Sequence, residues 1–277
     1  MAKKKELTTT DESNVPAYLQ NVEHEGLTDN FDSSDIAIPQ IKLLQGTSEE
    51  CLNYDDAKAG NFWHTGMDLN LGDAVRFVVC ARRKKYLLQA PMDDGQGILA
   101  RSDDAVNWDR TGSWEVRIDK KTKTEWTISE INVAKSGLAD WGTFDPDDEN
   151  SPPAATLFYD YLVYLPDHAD LGPAVMSLAR SAIRKAKKGL NDKIQLHSSN
   201  GRPLQSVRFR AGVVSDQNDT GQDYFNWQFL GDGFATEEEF HSAKSFEGLL
   251  ETSKIQGEGE DRHVKEDVEG KAAEAGI

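Results

Sequence analysis

"SLARSAIRKAKKGLND", Ser177–Asp192, is the stretch on which the fold reading turns. Its sixteen residues carry five basic side chains and one acid, in a chain of 277 residues with a formal net charge of −17. Val175, Leu178, Ala179, Ala182, Ile183, Ala186 and Leu190 recur at helical spacing, and at about 100° per residue they fill one arc of the wheel. Arg180, Arg184 and Lys187 fall on the opposite arc, with Lys188 beside them and Lys185 at the boundary. The spacing predicts an amphipathic helix running from Val175 to Leu190 with a basic outer ridge. Pro173 suits its first turn, where a missing N–H costs nothing, and Gly189 weakens its last.

The segments on either side read as strands. Upstream, "AVRFVVC" places Val75, Phe77 and Val79 on one face, and "SWEVRID" does the same with Trp114, Val116 and Ile118. A polar turn and "EWTISEINV" complete a hairpin. "GTFDPDDENSPP" is an acidic loop closed by a double proline, and "ATLFYDYLVYLP" is a long aromatic strand stopped by Pro166. Downstream, "SVRFRAGVV" turns Val207, Phe209 and Ala211 one way and Arg208 and Arg210 the other. "YFNWQFLGDGF" returns with Phe225, Trp227 and Phe229 on one face, and Tyr224, Asn226 and Gln228 on the other. "TEEEF" is a capping box in which Thr236 caps and Glu239 sits three residues on. A β-rich α+β chain with a helix inserted before its last hairpin is the pattern of an OB-fold, an antiparallel barrel. Ferredoxin-like and irregular α+β arrangements fit nearly as well.

Composition bounds the rest. With 38% hydrophobic and 29% charged residues, the chain is ordinary for a globular protein. It has no apolar run of eighteen residues, so no membrane-spanning helix is expected. "MAKKKELTTTDESN" has no apolar stretch after its lysines and is not read as a secretory signal. Cys51 and Cys80 suit a reducing cytoplasm better than a disulfide framework. Residues 1–35 and 252–277 are polar and acid-rich and are expected to be flexible, flanking one domain over residues 36–251.

Charge is polarised along the chain. Ser177 to Arg210 holds nine basic residues and one acid, whereas Asp11 to Gly60 holds eleven acids and two lysines. Clustered cations next to aromatic faces are what a single nucleic-acid strand needs, because phosphate neutralisation and base stacking both contribute to its binding. The candidate phosphate contacts are Arg180, Arg184, Lys187 and Lys188 on the helix, Arg208 and Arg210 on the hairpin, and Arg82, Arg83, Lys84 and Lys85 in "RRKKY". The candidate stacking residues are Tyr86, Trp108 and Tyr224. Trp114, Phe225, Trp227 and Phe229 are assigned to the core, and Trp126, Tyr159 and Tyr161 to neither set. No HExxH, GxSxG or P-loop spacing occurs. "DPDDEN" and "DQNDTG" both lack part of a calcium loop. No catalytic residue, metal or cofactor is therefore expected.

"PQIKLLQGTS", "GPAVMSLARSAIRKAKKGLND" and "VRFRAGVVSDQNDTGQDYFNWQFLGDGF" together resemble a group of bacteriophage-encoded single-stranded DNA-binding proteins of OB-fold type. The resemblance spans about Ile38 to Leu250. It implies replication or recombination work in the cytoplasm of an infected bacterium, coating unwound strands and recruiting replication or recombination proteins through acidic tails. Related groups end in an acidic tail with an aromatic tip, whereas this chain dilutes its acids with lysines and closes with "EAGI". Two other readings share the basic ridge: a strand-annealing recombination protein, and a non-enzymatic component whose ridge meets an acidic protein surface.

Overall fold

The computed structural model describes residues 37–91, 94–118, 122–218 and 221–255. The expected flexible ends, residues 1–35 and 252–277, lie outside the described residues except for the short stretch up to Ile255. The chain begins with β1 (Ala37–Ile38), β2 (Ile41–Leu43), α1 (Glu50–Asn53), β3 (Phe62–His64) and β4 (Leu69–Gly72). Next come β5 (Ala74–Gln89), β6 (Ile98–Ser102), β7 (Gly112–Arg117), β8 (Lys123–Ile128), α2 (Val133–Ser136) and β9 (Ala155–Tyr164). Then follow β10 (Pro173–Ala179), α3 (Ser181–Ala186), α4 (Asp192–Ser199), β11 (Val207–Gln217) and β12 (Asp223–Phe234). The described chain closes with α5 (Glu237–Ser245), α6 (Leu249–Thr252) and β13 (Lys254–Ile255).

β5 organises the molecule. Its sixteen residues are long enough to serve three neighbours: β11 pairs with its first half, β9 with its middle and second half, and β6 with its end. The resulting sheet runs β10–β9–β5–β11–β12, with β6 joined to the end of β5, and every pairing is antiparallel. β9 is buried on both faces over its second half, as befits an apolar run covered on two sides. On one face Phe77, Phe209, Phe229 and Met176 pack under α3, α4 and the small sheet β2–β3–β4. On the other, Val78, Cys80, Leu162 and Val175 pack under α5, α6 and the parallel pair β1–β13. The hairpin β7–β8 forms as expected, with Trp114 opposite Trp126, and it closes a separate core beyond the end of β5. The capping box on α5 is present: Glu239 N donates to Thr236 Oγ1 and Thr236 N to Glu239 Oε2.

Two expectations are corrected. The sheet is strand-rich and antiparallel, but it does not close into an OB-like barrel, because β10 and β12 do not pair. β2 spans the gap instead. The residue just before it meets β10 through an isolated bridge, Gln40 to Val175. Beyond it, the Gln45 side chain meets the edge of β12: Nε2 donates to Phe225 O (2.9 Å) and Phe225 N donates to Oε1 (3.0 Å). A side-chain amide thus satisfies a strand edge where a barrel would have a ladder.

The basic helix also starts later than its apolar spacing implies. Val175, Leu178 and Ala179 belong to strand β10, in which Ala174, Met176 and Leu178 face one core and Val175 the other. A strand with both faces covered is apolar almost throughout, so its residues match a helical stripe by coincidence. Helical structure begins at Ser181 and runs to Ser199, interrupted by one π-helical turn at Lys187–Asn191.

Candidate nucleic-acid interface

The "RRKK" tetrad lies on β5, and a strand sends alternate side chains to opposite faces. A register shift between Val79 and Ala81 sets the parity. After it, Arg82 and Lys84 stand opposite Tyr161 and Tyr159 on the face covered by the helix, whereas Arg83 and Lys85 stand opposite Asp160 and Phe158 on the other. Arg83 and Lys85 are structural. Both bind Asp160 Oδ2, at 3.1 and 2.9 Å, while Ser177 Oγ donates to Oδ1 at 2.6 Å. Asp160 and Lys85 are both fully buried. Burial pushes the Lys85 ammonium below its usual range, and Asp160 opposes that shift. These two cations are therefore not a phosphate-contact strip.

Arg208 and Arg210 are also on the far face. Each alternates with a core residue of β11, and the helix covers the core side. Arg208 is held by Asp232 (2.8 Å) and Glu239 (3.1 Å). Arg210 is exposed, paired across the sheet with Arg76. Trp108 is corrected as well. Trp108 is 2% exposed in the core beyond β5, and its Nε1 donates to Ser136 Oγ. Tyr86 is half-buried with its ring against Trp108, and burial raises its phenol. Trp108 offers no face to a base, and Tyr86 lines neither of the two hollows beside the helix.

The helix brings the remaining candidates together. At the π-turn it sits tightly on β12: a Cβ added to Gly189 would lie 2.6 Å from both the Cβ and the backbone oxygen of Phe229. Gly189 is therefore a close-approach residue in mid-helix rather than a weak last turn. This seating leaves a groove of about 730 Å³ between the helix and the β11–β12 hairpin. Arg184, Lys185, Lys188 and Lys193 line it on the helix side, and Tyr224, Trp227 and Phe229 line it on the strand side. Among the described residues its one carboxylate, Asp216, is held by Lys185 at 3.0 Å and by Asn226, which together keep its carboxyl below the usual range. Among the described residues, Arg184, Lys188 and Lys193 are in no ion pair.

On the other flank of the helix is a second hollow of about 500 Å³, where Arg82 and Lys84 meet Lys187 over Tyr159 and Tyr161. Asn191 Oδ1 accepts from Tyr161 Oη (3.0 Å) and from Arg82 Nη1 (3.1 Å). Burial raises the Tyr161 phenol to about 12, so it stays a donor. The Lys84 ammonium lies 5.4 Å from the centre of the Tyr159 ring.

Arg180 stands exposed at the turn between β10 and α3 with φ 50° and ψ −120°. Such a conformation in a residue other than glycine stores about 1–3 kcal/mol of strain.

Residues 4–256 match the family model described as Pam3 phage gp34-like protein. The chain belongs to the Pam3 phage gp34-like family. No curated protein and no solved structure matches it. Membership marks this gp34-like chain as a bacteriophage protein. Among its described residues, no helix is long and apolar enough to cross a membrane.

Sequence reasoning missed several residues of the gp34-like site. Lys193 lies beyond the stretch that was read as helix. Trp227 and Phe229 are core by burial, at 7% and 5% exposed, yet they form the floor of the groove. Tyr159 and Tyr161 gave no signal of their own, because only the register of β9 against β5 places them beneath Arg82 and Lys84.

Proposed function

We propose that this gp34-like protein binds single-stranded DNA without sequence preference, as a non-enzymatic component of phage DNA replication or recombination. The observation that carries the reading is the groove between helix and hairpin, where Arg184, Lys188 and Lys193, in no ion pair among the described residues, share a hollow with the half-buried Tyr224 ring and a carboxylate held by Lys185. A single strand needs both surfaces at once: cations that displace its counterions, and ring faces that take up unstacked bases. A duplex keeps its base faces stacked inside and gains only from the cations. The chain's negative charge is no obstacle, since acids are sparse along the groove and a local potential governs a local contact. Phage family membership supports the setting.

Fluorescence anisotropy of labelled oligo-dT and of a matched duplex, at two salt concentrations, tests the reading. Oligo-dT binds more tightly than duplex, and its affinity falls with salt at a slope of about −2, from about 0.7 for each of the groove's unpaired cations. Arg184→Glu with Lys188→Glu removes most of the binding, while Arg210→Glu on the far face does not. Equal loss from both variants, or no binding to oligo-dT at low salt, overturns it.

A further inference from the structure

Lys187 and Lys188 are neighbours in sequence, yet they line different concavities, one on each flank of the helix. The π-turn that contains them is where the two hollows come closest along the chain. The ridge between them is cationic there, through Arg184, Lys187 and Lys188, and meets its first acid only at Asp192. The cations of the ridge therefore offer an anionic polymer leaving the β12 groove a route over the helix to Arg82 and Lys84. That second hollow holds Arg82, Lys84 and Lys187, none in an ion pair among the described residues, against two largely buried tyrosine rings, and its lining includes one acid, Asp192.

We infer that a bound strand crosses the helix at the π-turn and occupies both hollows, so that the site reads a longer stretch of nucleic acid than the groove alone. This rests on the single-strand reading given above and adds its path and extent. Contact in one hollow raises the local concentration of the same strand at the other, so affinity climbs with length until both are filled. The helix with its side chains is about 10–12 Å across, a distance that a few nucleotides of extended strand can cross.

The test is a length series of oligo-dT, about 4, 8, 12 and 16 nucleotides, the range of site sizes among single-strand-binding folds. The wild-type protein gains affinity with length, and its salt slope grows from about −2 to about −4 as six cations become engaged in place of three. In Arg82→Ala/Lys84→Ala the ratio of long- to short-oligonucleotide affinity drops about tenfold, the size expected for two lost ion pairs at solvent-exposed side chains. Lys84→Glu alone, on an exposed side chain, lowers the same ratio and serves if the double variant is poorly folded. A variant that keeps the wild-type gain with length overturns the crossing path and leaves the groove reading intact. A wild-type protein that binds no oligonucleotide of any length sinks the groove reading and the path together.

Discussion

Gly189→Ala is the substitution whose sign the structure decides. In an ordinary helix interior, alanine is about 1 kcal/mol better than glycine. Here the new Cβ would sit 2.6 Å from Phe229 Cβ and 2.6 Å from Phe229 O, against a carbon contact optimum of about 3.5–4.0 Å. Phe229 cannot turn away, because its backbone is paired with Ala211 in the β11–β12 ladder. The helix must retreat by about 1 Å, an overpacking cost of about 1–3 kcal/mol that outweighs the propensity gain. The net loss, up to about 2 kcal/mol, corresponds to a Tm lowered by up to about 8 °C for a domain of this size. Thermal unfolding followed by circular dichroism gives the Tm, and urea titration gives the free energy. Oligo-dT affinity falls in parallel, since the wall carrying Arg184 and Lys188 moves away from Trp227. A Gly189→Ala protein at least as stable as the wild type would refute the close approach on which the groove's shape depends.

Three further outcomes follow from buried or strained groups. At Arg180 the usual order of glycine and alanine inverts: with φ 50°, Arg180→Gly is more stable than Arg180→Ala by about 1 kcal/mol, and urea denaturation of the pair measures it. Asp160→Asn strips the counter-charge from the fully buried Lys85 and costs about 3–5 kcal/mol. Lys85→Met costs far less, because Asp160 keeps Arg83 and Ser177; equal losses would show that the pair is not acting as described. His64 is 1% exposed with neither ring nitrogen hydrogen-bonded among the described residues, and burial, then His168, lowers its pKa from the ordinary 6.5. The unfolded chain therefore takes up the proton first, and stability falls as pH drops below 6.5 towards the lower folded value. His64→Phe flattens that fall in Tm measured from pH 7.5 to 5.5 (roughly one unit on either side of the ordinary value).

Much of the fold is legible in the residues. The alternation of Val75, Phe77 and Val79, the aromatic run of β9, the closing hairpin and the Thr236 capping box each name their own element. The boundary at Arg180 is not legible, because a strand buried on two faces and a helix stripe write the same apolar spacing. The extent of β5 is hidden too, since a strand that carries "RRKK" through the middle of a sheet must have a buried acid to meet it, and Asp160 comes from a distant segment. Part of the site follows from parity alone. Four consecutive cations on a strand cannot share a face, and Arg208 and Arg210 must oppose the helix if Phe209 lies beneath it. Trp108 shows the reverse difficulty: its polar neighbours Asn107, Asp109 and Arg110 mask a ring that fills a core built by β6, β7 and β8. Lys193 and the tyrosines of β9 join the site only through tertiary register, which no local pattern carries.

The central claim is that a single strand lies between the α3–α4 helix and β12. Photocross-linking of bromodeoxyuridine-substituted oligo-dT, followed by mass spectrometric mapping of the adducts, tests it most directly. Adducts are expected on Tyr224 or Trp227, reduced by Arg184→Glu/Lys188→Glu. Adducts confined to the far face around Arg210, or to the β7–β8 hairpin, would contradict it.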